Sequence, residues 1–150
     1  MVKVNCDSGE IDVIGDTGIN DEILDKAIKS SVFNDWLNEA TKEKRWKIHT
    51  VTIQSVDMFG PRVGFVKFKA DISNETGLKI PGIVFGRGGA VGILVVLHCE
   101  GVDYTVLTVQ PRVPVGMYSF PEIPAGMLDG NDHFSGVAAK ELKEEVFIYQ

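Results

Sequence analysis

The strongest constraint on the fold is an alternation of side chains between residues 62 and 70. Small or apolar residues occupy every second position, and two lysines lie between them: one set is Gly64, Val66, Phe68 and Ala70, and the other is Phe65, Lys67 and Lys69. Successive side chains of a strand point to opposite faces of its sheet. The segment is therefore predicted to be a strand with one face toward the core and one partly hydrated face.

Helical patterns precede this strand. The first 19 residues are polar and glycine-punctuated, and we expect them to be extended or loose. Asn20 can cap a helix that carries Asp21 and Glu22 in its first turn, where acidic side chains suit the positive helix end. Either Ser30 or Ser31 can start a second helix, because an apolar stripe at helical spacing follows them.

Further strands follow the helices. Residues 47–58 are predicted to form one strand and 83–85 a short one. Ala90 to Leu97 are apolar on both faces, which predicts a strand in the middle of a sheet. Residues 104–109 should pair with it as a hairpin, and the prolines and glycines over 111–126 predict loops. The last segment, Ser135 to Tyr149, again has helical periodicity.

Helices, then many strands, then a final helix indicate an α+β or mixed α/β fold. We expect three segments. The first is an N-terminal polar segment with helices over 1–46, the second is a β region over 47–86, and the third is a C-terminal α/β region over 87–150.

Composition excludes several classes of protein. With 150 residues, 44% hydrophobic and 24% charged, the chain is globular. A net charge of −6 argues against nucleic acid as a partner. The longest apolar run is far shorter than the roughly 20 residues that a membrane helix needs, so no membrane association is expected. Two cysteines and no signal peptide predict a cytoplasmic location, or a plastid one if a transit segment has been removed.

A group of carboxylates near the C-terminus carries the chemistry. On a helix, Glu141, Glu144 and Glu145 lie at positions i, i+3 and i+4 and share one face. Their mutual repulsion is relieved by a hard divalent cation such as Mg²⁺, which prefers oxygen ligands. The alternative is a solvated helix face whose repulsion is softened by Lys140 and Lys143. The histidines, in contrast, have no metal-ligand spacing, and no Ser/His/Asp arrangement can be argued.

The residues before these carboxylates favour the metal. Gly126, Asp132 and Lys140 precede them at the spacing of the Nudix box, G-x5-E-x7-R-E-U-x-E-E-x-G-U with U apolar, and the chain resembles that box. There are three departures from the pattern. Asp132 replaces a glutamate, Lys140 replaces an arginine and lacks its bidentate fork, and Phe147 replaces a glycine at the helix exit.

The resemblance extends to the plant ADP-sugar diphosphatases, over roughly residues 20 to 149. The strings that carry it include Val56-Asp57-Met58-Phe59-Gly60, Glu75-Thr76-Gly77, Pro81-Gly82-Ile83-Val84-Phe85, Gln110-x-Arg112-Val113-Pro114 and Pro124-Ala125-Gly126-Met127-Leu128-Asp129.

That resemblance implies a fold and a set of site residues. The fold is an incomplete Nudix α/β/α sandwich that ends at the Nudix helix. Glu141, Glu144 and Glu145 are the implied catalytic residues and the ligands of Mg²⁺ or Mn²⁺. The backbone carbonyl of Ala125 is a further implied ligand. The supporting residues are Asp132, Lys140 and Gly126, and the implied substrate-binding residues are Arg112 and Glu122.

The implied reaction is hydrolysis of a nucleoside-diphosphate sugar, ADP-glucose or ADP-ribose, to AMP and a sugar phosphate. The alternative is a truncated, non-catalytic Nudix-fold protein that binds nucleotide or a partner chain. Related enzymes have further strands after the box, whereas Gln150 follows it closely here, so we expect this polypeptide alone to be weakly active or inactive. A homodimer through the N-terminal region is also implied.

Overall fold

The computed structural model describes residues 1–6 and 9–128 and shows two compact units, Met1–Gly88 (unit 1) and Gly89–Gln150 (unit 2). The helix predicted over 135–149 lies outside the described residues. The elements of unit 1 are, in chain order, β1 (Val2–Cys6), β2 (Gly9–Gly15), α1 (Asp21–Lys29), α2 (Ser31–Lys42), β3 (Trp46–Phe59), β4 (Arg62–Asn74), β5 (Lys79–Ile80) and β6 (Ile83–Gly86). The division at residues 46 and 86 stays a prediction; here both helices and the long strands belong to unit 1.

Unit 1 is built on one mixed sheet with the strand order β1-β2-β3-β4-β5, in which β6 also pairs with β4. Strand β2 runs parallel to β3, and every other pair is antiparallel. A parallel pair needs a long crossover connection, and α1 and α2 supply it. The helices and the strand-rich sheet are compatible with the predicted mixed α+β fold.

The helix boundaries confirm the predicted caps. The Asn20 side chain accepts a hydrogen bond from the backbone N–H of Ile23 at 2.9 Å. Ser30 ends α1, where its N–H donates to the carbonyl of Ala27, and it also begins α2, where its hydroxyl accepts from Phe33. One serine thus satisfies backbone groups of both helices, which would otherwise lack partners.

The alternation over residues 62–70 is confirmed. Its apolar set is buried beneath the two helices, and Phe68 is fully inaccessible. The centroid of the Phe68 ring lies 4.5 Å from that of Trp36 and 5.5 Å from that of Phe33, and both pairs have edge-to-face geometry. The core of unit 1 consists of Ile11, Val13, Leu24, Ala27, Phe33, Leu37, Ala40, Ile48, Val51, Ile53, Val66, Phe68, Ala70 and Ile72.

The other face of β4 remains in contact with solvent. Lys67 and Lys69 are exposed there, as the alternation predicts. The rings of Phe59, Phe65 and Phe85 form a chain near the same strands, with neighbouring centroids 5.0 and 5.3 Å apart. Phe59 and Phe85 are both about half exposed, so this part of unit 1 carries an accessible aromatic cluster.

The connection from β5 to β6 depends on a glycine. A Cβ atom at Gly82 would lie 2.2 Å from the carbonyl oxygen of Ala70. The Gly82 carbonyl in turn accepts a hydrogen bond from the N–H of Ala70 at 2.7 Å. Only a residue without a side chain permits this close approach, so Gly82 allows β5 and β6 to follow β4 one after the other.

Unit 2 consists of short antiparallel strands in its described part. They are β7 (Ala90–Gly92), β8 (Val96–Cys99), β9 (Val102–Thr105), β10 (Thr108–Arg112), β11 (Met117–Glu122) and β12 (Ala125–Met127). Within the described residues they form three two-stranded sheets: β7 with β12, β8 with β9 and β10 with β11. A 3-10 turn, Val113–Val115, joins β10 to β11.

One prediction for this region is wrong, and another is wrong in part. Ala90 to Leu97 is not one buried strand, because β7 ends at Gly92, β8 begins at Val96, and both are largely exposed. Apolar character alone marked this segment as central, but β7 instead pairs with β12 and β8 turns back onto β9. The predicted loops over 111–126 are confirmed at the 3-10 turn with Pro114 and Gly116 and at residues 123–124, but the rest is strand. Pro111 and Pro121 lie within short two-stranded sheets, where a missing N–H is tolerated.

The hairpin predicted after Glu100-Gly101 is confirmed in part. Strands β8 and β9 pair across this turn, but β9 ends at Thr105 instead of continuing to Val109. Glu100 and Gly101 both have positive φ, 50° and 79°. Two-residue hairpins favour this left-handed pair because it matches the twist of the strands, at some conformational cost for a glutamate.

The buried ring of Phe68 provides a test of the unit 1 core. We expect Phe68→Ala to lower the free energy of unfolding by about 3–5 kcal/mol, because the ring leaves a cavity under α2. Lys67→Ala, one residue away on the hydrated face, should change it by no more than about 0.5 kcal/mol. Denaturant titrations followed by tryptophan fluorescence report on unit 1, since Trp36 and Trp46 both lie there. Equal midpoints for the two variants would contradict this packing.

Candidate functional site

The described residues of the predicted site all lie in unit 2. Arg112 ends β10, Glu122 ends β11, and Ala125 and Gly126 lie in β12. The other predicted residues are outside the described part of the chain: Asp132, Lys140, Glu141, Glu144 and Glu145. The structure therefore bears on the predicted phosphate-binding side and on the predicted carbonyl ligand.

The β10–β11 hairpin is shaped by its turn. Pro114 lies at the start of the 3-10 turn, and Gly116 follows in the left-handed region at φ 72°. The Gly116 N–H donates to the carbonyl of Val113 at 2.9 Å. Proline pre-sets the turn and glycine adopts positive φ without strain. Both residues thus close the hairpin that carries Arg112 and Glu122.

The register of the hairpin shifts just before Arg112. Thr108 lies opposite Glu122 and Gln110 opposite Phe120, but Arg112 lies opposite Met117, so the ladder contains a bulge between Gln110 and Arg112. Bulges bend a strand and redirect its side chains. Here the bulge lies directly beside the predicted substrate-binding cation.

Arg112 and Glu122 form a two-point ion pair. The Nε–H of Arg112 donates to Oε2 of Glu122 at 3.0 Å, and Nη2 donates to Oε1. The carboxylate is the less exposed partner, with its side chain 21% accessible against 39% for the arginine. Charge-assisted bidentate pairs are among the stronger and more directional hydrogen bonds in proteins. The sequence suggested both residues for the site but not that they bind each other.

This contact changes the acidity of the glutamate. The Arg112 hydrogen bond lowers the pKa of Glu122 below its usual 4.5, and a hydrogen bond from the Gln110 side chain acts in the same direction. Partial burial opposes the shift but does not outweigh it. Glu122 therefore remains a carboxylate throughout the neutral and mildly acidic range.

Ala125 and Gly126 are held in backbone pairing. They lie opposite Gly92 and Val91 in the β7–β12 sheet. On either side of them, the N–H of Ile93 donates to the carbonyl of Pro124 at 2.8 Å, and that of Leu128 donates to the carbonyl of Gly89 at 3.0 Å. The backbone that carries the predicted carbonyl ligand is thus fixed by strand β7.

A divalent metal would depend on residues that the structure does not describe. Among residues 1–6 and 9–128, no group of three His, Cys, Asp or Glu side chains is arranged to hold a metal ion. The predicted donors, three glutamates and one backbone carbonyl, supply only oxygen, which is the ligand chemistry that Mg²⁺ and Mn²⁺ favour.

Two histidines each contact a polar side chain that the sequence did not suggest as a partner. Nε2 of His49 lies 2.7 Å from the hydroxyl of Ser73, across β3 and β4. Asp71, on the same strand as Ser73, forms an ion pair with Lys79. His98 contacts Asp103 across the β8–β9 hairpin. Only the strand register brings these residues together, and we assign them to cross-strand stabilisation.

The helices of the described region are short. None of them has both the length and the apolar character that a membrane-spanning helix requires.

No protein-family model matches the chain, but it is similar to a protein of known family. A similar protein is "Nudix hydrolase 14, chloroplastic" from Arabidopsis thaliana, which is 48% identical over an alignment of 139 residues that covers 87% of this chain. The chain spans 45% of the length of that relative.

Removal of Arg112 tests the ion pair. In Arg112→Met, the pKa of Glu122 should return toward its ordinary 4.5, since the largest cause of its depression is lost. The pKa of Glu122 is lowered in the folded chain. The ion pair therefore stabilises the fold fully at a pH above the ordinary pKa of 4.5, and this stabilisation is lost as the pH falls through the lowered pKa of the folded chain. Carbon NMR of glutamate carboxylates during acid titration measures the shift, and Lys67→Met is the control. An unchanged Glu122 titration in Arg112→Met would contradict the pair.

Proposed function

We propose that this chain carries the substrate-binding side and the metal-binding helix of a nucleotide-sugar diphosphatase. The reaction is hydrolysis of the diphosphate of a nucleoside-diphosphate sugar, ADP-glucose or ADP-ribose, to AMP and a sugar phosphate. The observation that carries the proposal is the 48% identity to a Nudix hydrolase over 139 residues. Its geometric support is the arginine held at the start of the segment that leads to Ala125.

The proposed metal ligands are Glu141, Glu144 and Glu145, with the backbone carbonyl of Ala125 as a further donor. Their all-oxygen chemistry suits Mg²⁺, with Mn²⁺ as the alternative. Such an ion, when bound, neutralises charge on the diphosphate and lowers the pKa of a water molecule for attack. Strand β7 contributes by holding the backbone of Ala125 in place.

Three further residues support the metal-binding carboxylates in this proposal. Asp132 is assigned a supporting role for the metal site, and Lys140 would offset part of the repulsion among the glutamates as a point charge. Gly126 continues the β12 strand opposite Val91, next to the carbonyl of Ala125.

Substrate binding is assigned to the ion pair of Arg112 and Glu122, in which Arg112 is the residue that contacts the substrate. The guanidinium offers several N–H donors in a planar fork, a geometry that suits phosphate oxygens as well as carboxylates. Arg112 lies on a short hairpin, and its guanidinium is held by Glu122. Less conformational entropy of this side chain is therefore lost when substrate binds. We therefore assign the arginine to a phosphate of the substrate.

A second candidate function is a non-catalytic Nudix-fold protein that binds nucleotide or a partner chain. The observation that favours it is Phe147, which stands where the Nudix box usually has a glycine. Lys140 in place of arginine points in the same direction, because it lacks a bidentate fork for the glutamates. Turnover that depends on Mg²⁺ separates the two candidates.

Location and self-association complete the proposal. The similar Arabidopsis protein is described as chloroplastic, and we propose a plastid location for this chain, with the cytoplasm as the alternative. We also propose a homodimer through the N-terminal region. The exposed rings of Phe59 and Phe85, beside Phe65, support this, because accessible apolar clusters mark interaction surfaces.

The activity is tested by AMP release from ADP-glucose and ADP-ribose, with Mg²⁺ and with EDTA. We expect turnover only with Mg²⁺ and a loss of about 100-fold or more in Glu144→Gln, because a charged metal ligand becomes neutral. Glu100→Gln, on the exposed β8–β9 turn, should match the unmodified chain.

The controls decide between the two candidates. Thermal unfolding must show that Glu144→Gln folds like the unmodified chain. A folded chain that binds ADP-glucose but releases no AMP would reject the enzyme and favour the binding protein. Turnover that persists in EDTA would reject the metal assignment.

A further inference from the structure

We infer that Glu122 is a positioning residue, which holds the guanidinium of Arg112 at the end of the hairpin that leads to Ala125. The inference rests on the proposed function, because it takes the anion bound by Arg112 to be a phosphate of the nucleotide sugar. Glu122 itself then does not touch substrate. It determines where the cation lies when substrate arrives.

The strand register shows how far the arginine side chain must reach. The backbone of Arg112 lies opposite Met117, next to the 3-10 turn, whereas Glu122 lies opposite Thr108 at the open end of the hairpin. Arg112 lies four positions after Thr108 in the chain, which is roughly 13 Å in an extended strand. Because the guanidinium nevertheless bonds Glu122, the side chains of Arg112 and Glu122 together span this distance.

Glu122 is held by several hydrogen bonds. Both carboxylate oxygens of Glu122 accept from Arg112, through Nε and Nη2, and the Gln110 side chain is a further donor. The backbone carbonyl of Glu122 also accepts from the hydroxyl of Thr108 at 3.3 Å. The carboxylate is less exposed than the guanidinium. Glu122 is thus the more enclosed partner, and the side chain of Arg112 is the more accessible one.

The segment that follows Glu122 suggests the role of the Arg112–Glu122 ion pair. Glu122 is followed by Ile123 and Pro124, and the carbonyl of Pro124 is held by Ile93. Ala125 then pairs with Gly92. Without the carboxylate, the guanidinium would lose the two hydrogen bonds that join it to the end of β11. With it, the cation stays at the end of β11, next in sequence to the backbone that carries the proposed carbonyl ligand.

The experiment compares Glu122→Gln with Glu100→Gln in the full chain. The first variant keeps size and one acceptor oxygen but removes the charge, and the second is the matched control on an exposed turn. We expect Glu122→Gln to raise the KM for ADP-glucose about tenfold or more while kcat changes far less, since loss of a supporting partner misplaces a binding group. Glu122→Asp keeps the charge and should recover part of the loss.

A double variant tests whether Glu122 acts through Arg112. If it does, adding Glu122→Gln to Arg112→Met should not raise KM beyond that of Arg112→Met alone, because the two residues work as a unit. Additive increases would overturn the inference and would make Glu122 an independent substrate contact. A fall in kcat together with a fall in thermal stability, with KM unchanged, would also overturn the inference and indicate a purely structural role.

Two readouts are independent of turnover. The Nε–H signal of Arg112 in nitrogen-15 NMR, assigned by its loss in Arg112→Met, should be shifted and slow to exchange in the unmodified chain and in Glu100→Gln, but not in Glu122→Gln. Calorimetric titration with ADP-glucose in EDTA should give a Kd about tenfold higher in Glu122→Gln than in the control.

These readouts separate the two proposals. A chain that binds ADP-glucose, loses affinity in Glu122→Gln and releases no AMP would reject the enzyme but support the positioning role. Turnover with the same KM in Glu122→Gln and Glu100→Gln would support the enzyme and overturn the positioning role. A chain that neither binds nor hydrolyses ADP-glucose would overturn both.

Discussion

The packing of α1 and α2 on one face of the β3–β4 pair is the interaction on which unit 1 depends. The two strands run antiparallel over more than a dozen residues each. Their alternation presents a continuous apolar surface on one side, and the paired rings of Phe68 and Trp36 join that surface to α2. The Nε1–H of Trp46, at the start of β3, donates to the carbonyl of Ala40 near the end of α2. The helical layer and the sheet are therefore joined by apolar contact and by a directional bond.

Local chemistry explains why much of unit 1 could be predicted from the sequence. Asn20 and Ser30 cap helices through contacts within three residues, and the alternation around Phe68 reflects the geometry of any half-buried strand. The pairing of β2 with β3 could not be predicted in this way. It joins Asp12 to Thr50 across two intervening helices, and the polar, glycine-rich N-terminus gives no sign of its partner. Non-local pairings of this kind depend on the whole chain.

The candidate site was also predictable only in part. The resemblance to a known family suggested Arg112, Glu122 and Ala125 as site residues, but not that Glu122 binds the arginine or that β7 holds Ala125. Those contacts arise from a bulge and from pairing between distant strands, neither of which leaves a periodic signal. The unbroken strand predicted over Ala90 to Leu97 failed for a related reason. A run of apolar residues is consistent with a central strand and equally with two short strands that separate at Ile93.

The two-stranded sheets of the described part of unit 2 have a consequence for the energetics of binding. An isolated pair of strands is only marginally stable in water, and sub-regions of this kind open at a smaller free-energy cost than a helix-covered sheet does. A ligand that binds only the ordered form adds its own binding free energy to the stability of those strands. If Arg112 and Ala125 bind substrate as proposed, order around them would depend on ligand concentration, whereas the helix-covered core of unit 1 has its own source of stability.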